Sequence, residues 1–346
     1  MKDHTEAVTA AAEEQGFSGV VRIDDDGAVT ELAFGLADRA HHLPNTAATR
    51  FGMASGTKTF TALAVLSLVA DGTMGLDDPA RRWLGADLPQ IPDAVTVRRL
   101  LSHTSGVGDG IDDDAEVDVH LLPGPVHAYE SPEDYLPVID QPMLAEPGTE
   151  FFYNNSGFVL LGLLAQRASG TPYHDLVRQR VFEPAGLTRT EFLRSDDLPG
   201  DAAVGYLYPD ATRTNVLHLP IVAGPDGGSY TTAADLRTFW TALATGRIVP
   251  AELVELMGIR PAGTHPDDDD YGLGVWLPRP GVLQMVGADA GVSMASEHDP
   301  AADFTMTVLS NDSDGAWPMW GVLRELTGTG RPDADDETVA EDSSGD

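Results

Sequence analysis

The chain contains no cysteine, only two lysines in 346 residues, and no long uninterrupted apolar run. Without cysteine, disulfides, thiolate nucleophiles and Cys-ligated zinc are excluded. No stretch approaches the roughly 18 consecutive apolar residues of a membrane-spanning helix. The opening segment, MKDHTEAVTAAAEEQG, is charged throughout and lacks the apolar core of an export signal, so a cytoplasmic protein is expected. Positive charge is scarce as well. Lys and Arg total 21 against 55 Asp and Glu, a formal net charge of −34. Such a chain is repelled by nucleic acid and by anionic membranes, so neither is an expected partner.

Hydrophobic residues make up 42% of the chain, enough for a globular protein with a sizeable core. Its basic residues are almost all Arg. Strong acidity with little Lys resembles proteins of salt-loving organisms, in which a hydrated acidic surface maintains solubility and salt screens the repulsion.

FSGVVRI (17–23) and AVTELAFGLAD (28–38) read as strands joined by the turn Asp24-Asp25-Asp26-Gly27. Helices are expected over 5–15, from about Ser55 to Ala70, and through VRRLLSH behind a Thr96 cap. Further helices are expected in GFVLLGLLAQRAS behind Asn155 or Ser156, in TPYHDLVRQRVF, and from Thr232 to Ala244. Four late strands, 271–278, 282–287, 292–298 and 304–311, precede a helix at about 317–327. Their short links make them antiparallel. The expected fold is α+β: an antiparallel sheet built from both termini and flanked by helices, with an inserted, mainly helical region. One domain should span 1–330, its sheet region over about 5–52 and 225–327 and its helical region over about 75–220. The acidic tail 331–346 is expected to be disordered.

One of the two lysines, Lys58, lies three residues after Ser55 in FGMASGTKTF. That spacing places both side chains on one helix face, a turn apart. The helix that follows, FTALAVLSLVA, is apolar on nearly every side and should be buried. Burial disfavours the charged form of a lysine, and a lysine that spends time neutral can take a proton from a neighbouring hydroxyl. The pair is short, however, and roughly one shuffled chain in ten would contain it. Ser55 as a simple N-cap and Lys58 as a first-turn residue reaching solvent is the alternative.

LLSHTSGV (100–107), FFYNNSGFVLLGLL (151–164) and AGPDGGSYTTAADLRTF (223–239) follow in order. Together with SGTK they resemble the serine β-lactamase and penicillin-binding-protein-like family, nearest the class C β-lactamases and their esterase and D-amino-acid peptidase relatives. The resemblance covers about residues 5–327. It implies that Ser55 is the acylated nucleophile and Lys58 its proton acceptor. Tyr153 would shuttle the proton, and Asn155 would hold the substrate's amide or carbonyl and steady the lysine. An aromatic core residue and a plain helix cap are the alternatives for those two.

The family's third motif carries a Lys or His on a strand beside the serine. In VGADAGVSM (286–294) no such cation is present, and either Ala288-Asp289-Ala290 or Asp289-Ala290-Gly291 takes its place. The oxyanion hole needs only two N–H groups, here from Ser55 and a residue near Gly291. Asp289 would repel a substrate carboxylate and attract an amine, which moves the substrate from penicillins towards esters or amine-bearing amides. His103, in LLSHTSG, reads as a turn-stabilising residue. The Asp runs at 24–26, 112–114 and 267–270 lack the pattern of a calcium loop, His41-His42 has no partner at zinc spacing, and GLGVWLP is not a dinucleotide loop. The resulting expectation is a serine hydrolase that cleaves a small ester or amide through a Ser55 acyl-enzyme, with no cofactor. A non-catalytic ligand-binding protein on the same fold and a D-amino-acid peptidase are the rivals.

Overall fold

The computed structural model describes residues 4–111, 122–261 and 270–329. The Asp runs at 112–114 and 267–269 and the tail 331–346 lie outside these residues. A five-stranded antiparallel sheet forms the centre, from β1 (Gly19–Asp25), β2 (Ala28–Phe34), β3 (Leu283–Asp289), β4 (Val292–Asp299) and β5 (Phe304–Ser310). Their order is β2-β1-β5-β4-β3, so the sheet is built from both termini, as expected. The first hairpin turns at Asp26 and Gly27, with φ of 43° and 80°. Asp and Gly are the residues that tolerate this left-handed region, and their turn fixes the register Asp25↔Ala28.

Alternation along the strands gives the sheet two apolar faces. Val21, Ile23, Met306 and Val308 pack under the terminal helices α1 (Thr5–Gln15) and α5 (Ala316–Thr327). Val20, Met294 and Leu309 face the main core with α2 (Thr57–Ala70), α3 (Asn155–Ser169) and α4 (Ala233–Ala244). α2 is buried on nearly every side. Each fully buried Leu or Phe there contributes about 1.5–3 kcal/mol. No helix among the described residues is long and apolar enough to cross a membrane.

Two sequence expectations are corrected. Residues 271–278 do not form a strand and make only the isolated bridges Tyr271↔Trp276 and Trp276↔Gln284. Gly274 has φ of +81°, and a Cβ there would stand 2.2 Å from Ala62 Cβ, so the glycine allows a tight turn against α2. The cap of α3 is Asn154, not Asn155 or Ser156. Its Oδ1 accepts from the Gly157 N–H at 2.5 Å, and its Nδ2 donates to Val107 O. Capping therefore falls one residue early, leaving the Asn155 side chain for other work.

His103 joins this cap to the 104–111 segment. It sits at φ of 55°, its Nδ1 accepts from the Asn154 N–H at 3.0 Å, and its carbonyl accepts from the Phe152 N–H. Complete burial, with the Lys58 charge nearby, pushes the imidazole well below its usual range, so it stays neutral with its proton on Nε2. The unfolded chain takes up that proton near pH 6.5, so the stability His103 provides is complete above that pH and lost as the pH falls through it. His103→Asn keeps an acceptor and tolerates the left-handed backbone but does not titrate. Between pH 7.5 and 5.0, urea melts should show wild type losing about 1–2 kcal/mol more than this variant. Equal losses would contradict the assignment.

Candidate active site

The chain leaves the short strand Phe51–Gly52, makes one 3₁₀ turn over Ala54–Gly56 and enters α2. Ala54 occupies the left-handed region at φ of 43°, an uncommon and strained conformation for a residue with a Cβ. The surrounding contacts hold it: the Ala54 carbonyl accepts from the Gly228 N–H at 3.1 Å, and the Met53 carbonyl accepts from the Gly56 N–H. Ser55 follows, half-buried, at the first turn of the helix.

Lys58 is 1% exposed. Its Nζ donates to Ser55 Oγ at 2.9 Å, Asn155 Oδ1 at 2.6 Å and the Asp226 carbonyl at 2.8 Å. An ammonium has three N–H bonds to give, and these oxygens are uncharged acceptors for them. Asn155 Nδ2 donates to Ile111 O, and the Asn155 N–H donates to Asp109 Oδ2 at 2.6 Å. Asp109 also accepts from the N–H and hydroxyl of Ser156, so its carboxylate anchors the start of α3. Burial raises the Asp109 pKa despite these bonds.

Tyr153 meets the amine through its ring, with Nζ 5.0 Å from the centroid. The ring lies between His103, 4.4 Å away, and Trp276, stacked at 5.7 Å and 14°. Tyr271 packs edge-on against Trp276 and beside His103, and burial pushes its phenol well above the ordinary range.

Residue 287 of β3 abuts the Ser55 turn. A Cβ on Gly287 would stand 2.1 Å from Met53 O and 3.1 Å from Ser55 N, so only glycine fits. Gly291, expected beside the serine, lies instead in the β3–β4 turn. Its N–H donates to Ser313 Oγ at 2.9 Å, and its backbone abuts Gly205 and Tyr206. Asp289 is exposed in the same hairpin and accepts from the Ala290 N–H. The structure thus brings Ser55, Lys58, Asn155 and Tyr153 together, and places Asp289 and Gly291 beyond them along the hairpin. Sequence reasoning missed Asp109, Asp226, Trp276 and Gly287. The PDGG run within 223–239 and the GDG at 108–110 were the available signals. Among the described residues, no group of three or more His, Cys, Asp or Glu is arranged to hold a metal.

Comparison with known proteins identifies the family of the chain. The family described as Beta-lactamase matches residues 5–321. A penicillin binding protein from Bacillus halodurans superposes with a TM-score of 0.83 at 34% identity, covering 94% of this chain and 100% of that one. A D-stereospecific amidohydrolase from Streptomyces sp. superposes with a TM-score of 0.75 at 25% identity, covering 95% and 100%. Esterase EstB of Burkholderia gladioli is 32% identical over 195 residues, 50% of this chain and 46% of EstB, so the chain spans about half the length of that relative. The chain belongs to the β-lactamase family, and its class is that of the serine hydrolases.

Proposed function

We propose that this hydrolase cleaves a small ester or amide through an acyl-enzyme on Ser55, with Lys58 as the base. The observation that carries the reading is the 2.9 Å contact between Ser55 Oγ and a buried amine that also donates to Asn155 Oδ1 and the Asp226 carbonyl. When Lys58 is neutral, its lone pair faces the Ser55 hydroxyl, and Asn155 and the Asp226 carbonyl keep accepting its two N–H bonds. Lys58 takes the proton as Ser55 Oγ bonds to the substrate carbonyl carbon. The proton then passes to the leaving group as the carbonyl–heteroatom bond breaks. Tyr153, beside the amine, is the carrier, and its contacts tighten when substrate fills the site. Water, deprotonated by the same groups, releases the acyl chain and regenerates Ser55.

The oxyanion formed on attack needs two donors. One is the Ser55 N–H at the start of α2. The β3–β4 hairpin closes on the pair Asp289↔Val292, so alternation turns the Ala288 N–H away from β4, on the edge facing the Ser55 turn. Ala288 is thus the second donor, and Gly291, committed to Ser313, is not. No cation stands on this stretch of β3, and Asp289 is exposed on it. The same strand therefore supports esters and amides without a carboxylate over penicillin-type acids.

In molar salt, a fluorophosphonate probe should add one adduct to the Ser55 peptide, read by mass spectrometry, and Ser55→Ala should abolish it. Lys58→Ala should lower ester turnover at least about a hundredfold. An unlabelled Ser55 in folded protein would instead favour a ligand-binding role. Gly287→Ala should lower kcat by roughly tenfold or more, because its methyl displaces the Ser55 turn and the donor pair. Unchanged kcat in that variant would contradict the placement of β3.

A further inference from the structure

β3 is an edge strand, so the sheet fixes it on one side only. Its end, which carries the Ala288 N–H, continues into the two-residue turn Ala290-Gly291 between β3 and β4. That turn is held from outside the sheet on both of its residues. Asn215, 5% exposed, donates from Nδ2 to the Ala290 carbonyl at 2.9 Å. The Gly291 N–H donates to Ser313 Oγ at 2.9 Å. These contacts lie two and three residues beyond Ala288 in the chain.

The segments that supply the two partners are themselves tied down. The Asn215 N–H donates to the Gly205 carbonyl at 3.0 Å and closes the loop 205–215. Arg39 donates to the carbonyls of Tyr208 and Ala211 in that loop, lies over the Tyr206 ring at 4.1 Å, and pairs with Asp312. The Tyr206 N–H donates to the Asn311 carbonyl, which joins the loop to the segment carrying Ser313. Glycines permit the approach. A Cβ on Gly205 would stand 2.4 Å from Asn215 Nδ2 and 2.7 Å from the Gly291 carbonyl oxygen, and one on Gly291 would stand 2.7 Å from the Tyr206 nitrogen. β3 is thus set at Gly287 by the Ser55 turn and beyond Ala288 by the loop 205–215 and Ser313.

We propose, resting on the acyl-enzyme reading above, that Asn215 and Ser313 are positioning residues of the oxyanion hole. They give no group to the reaction and act through the hairpin, by keeping the Ala288 N–H beside the Ser55 turn. Such a donor accelerates attack only where it meets the charge that develops on the oxygen, and a displacement of about 1 Å can cost about a hundredfold. The ground-state carbonyl carries less charge and depends less on the donor. Loss of either contact therefore lowers kcat and leaves KM in place.

The test measures p-nitrophenyl butyrate hydrolysis in molar salt for wild type, Asn215→Ala, Ser313→Ala and Ser313→Thr. Active sites are counted by the fluorophosphonate adduct on Ser55. Per labelled site, each alanine variant should lose roughly tenfold to a hundredfold in kcat, with KM within about twofold of wild type. Ser313→Thr keeps the hydroxyl and should retain the wild-type kcat. The labelled fraction should match wild type, whereas a general loss of structure would lower that fraction and spare the remaining sites. If one alanine variant fails to fold, the other decides. A wild-type kcat in the folded alanine variants, or a loss confined to KM, overturns the proposal and leaves the hydrolase reading intact. A wild-type Ser55 that takes no adduct, in protein that turns over no ester, overturns the acyl-enzyme reading and the positioning roles with it.

Discussion

One buried amine organises this molecule. Lys58 is almost wholly withdrawn from water, and a charged or polar nitrogen in that position must find oxygen partners or cost several kcal/mol. Three segments far apart in the chain supply them: Ser55 from the turn that leads into α2, Asn155 from the start of α3, and the Asp226 carbonyl from the loop before α4. Each segment is held in turn by bonds of its own. Asp109 grips the first turn of α3, Gly228 donates to the strained Ala54, and Gly287 lets the edge strand press against the Ser55 turn. The sheet and helices hold these partners within hydrogen-bond range of one nitrogen.

The scarcity of lysine gives that position its meaning. Many of the other cations are arginines tied to carboxylates, as in Arg22 with Asp24 and Glu31, Arg39 with Asp312, and Arg167 with Asp87 and Glu133. Arginine keeps its charge at any working pH and suits an acidic protein that needs fixed countercharges. A group that must release and recover a proton cannot be arginine. Of the two lysines, one stands at the second residue and the other hydrogen-bonds the Ser55 hydroxyl.

Local patterns proved readable and tertiary approaches did not. The three-residue spacing of Ser55 and Lys58 fixes a shared helix face whatever the rest of the chain does. The sheet from both termini followed from alternation and from turns such as Asp26-Gly27. YGLGVWLP also alternates, but its glycines serve close contact with α2 and Met257, a demand invisible in one dimension. Small residues hid the register beside Ser55, because Gly287, Ala288, Ala290 and Gly291 differ in role only through the hairpin they form. Asn154 and Asn155 are identical in type, and only the geometry of the helix start divides capping from contact with Lys58.

The chain's two lysines make the central interaction directly observable. Protein labelled with ¹³C and ¹⁵N at lysine alone gives two side-chain signals, one from position 2 and one from position 58. If the amine of Lys58 holds the Ser55 hydroxyl in solution, converting Ser55 to a fluorophosphonate adduct shifts the Lys58 signal strongly and leaves that of Lys2 in place. A Lys58 signal unmoved by the adduct would contradict the account.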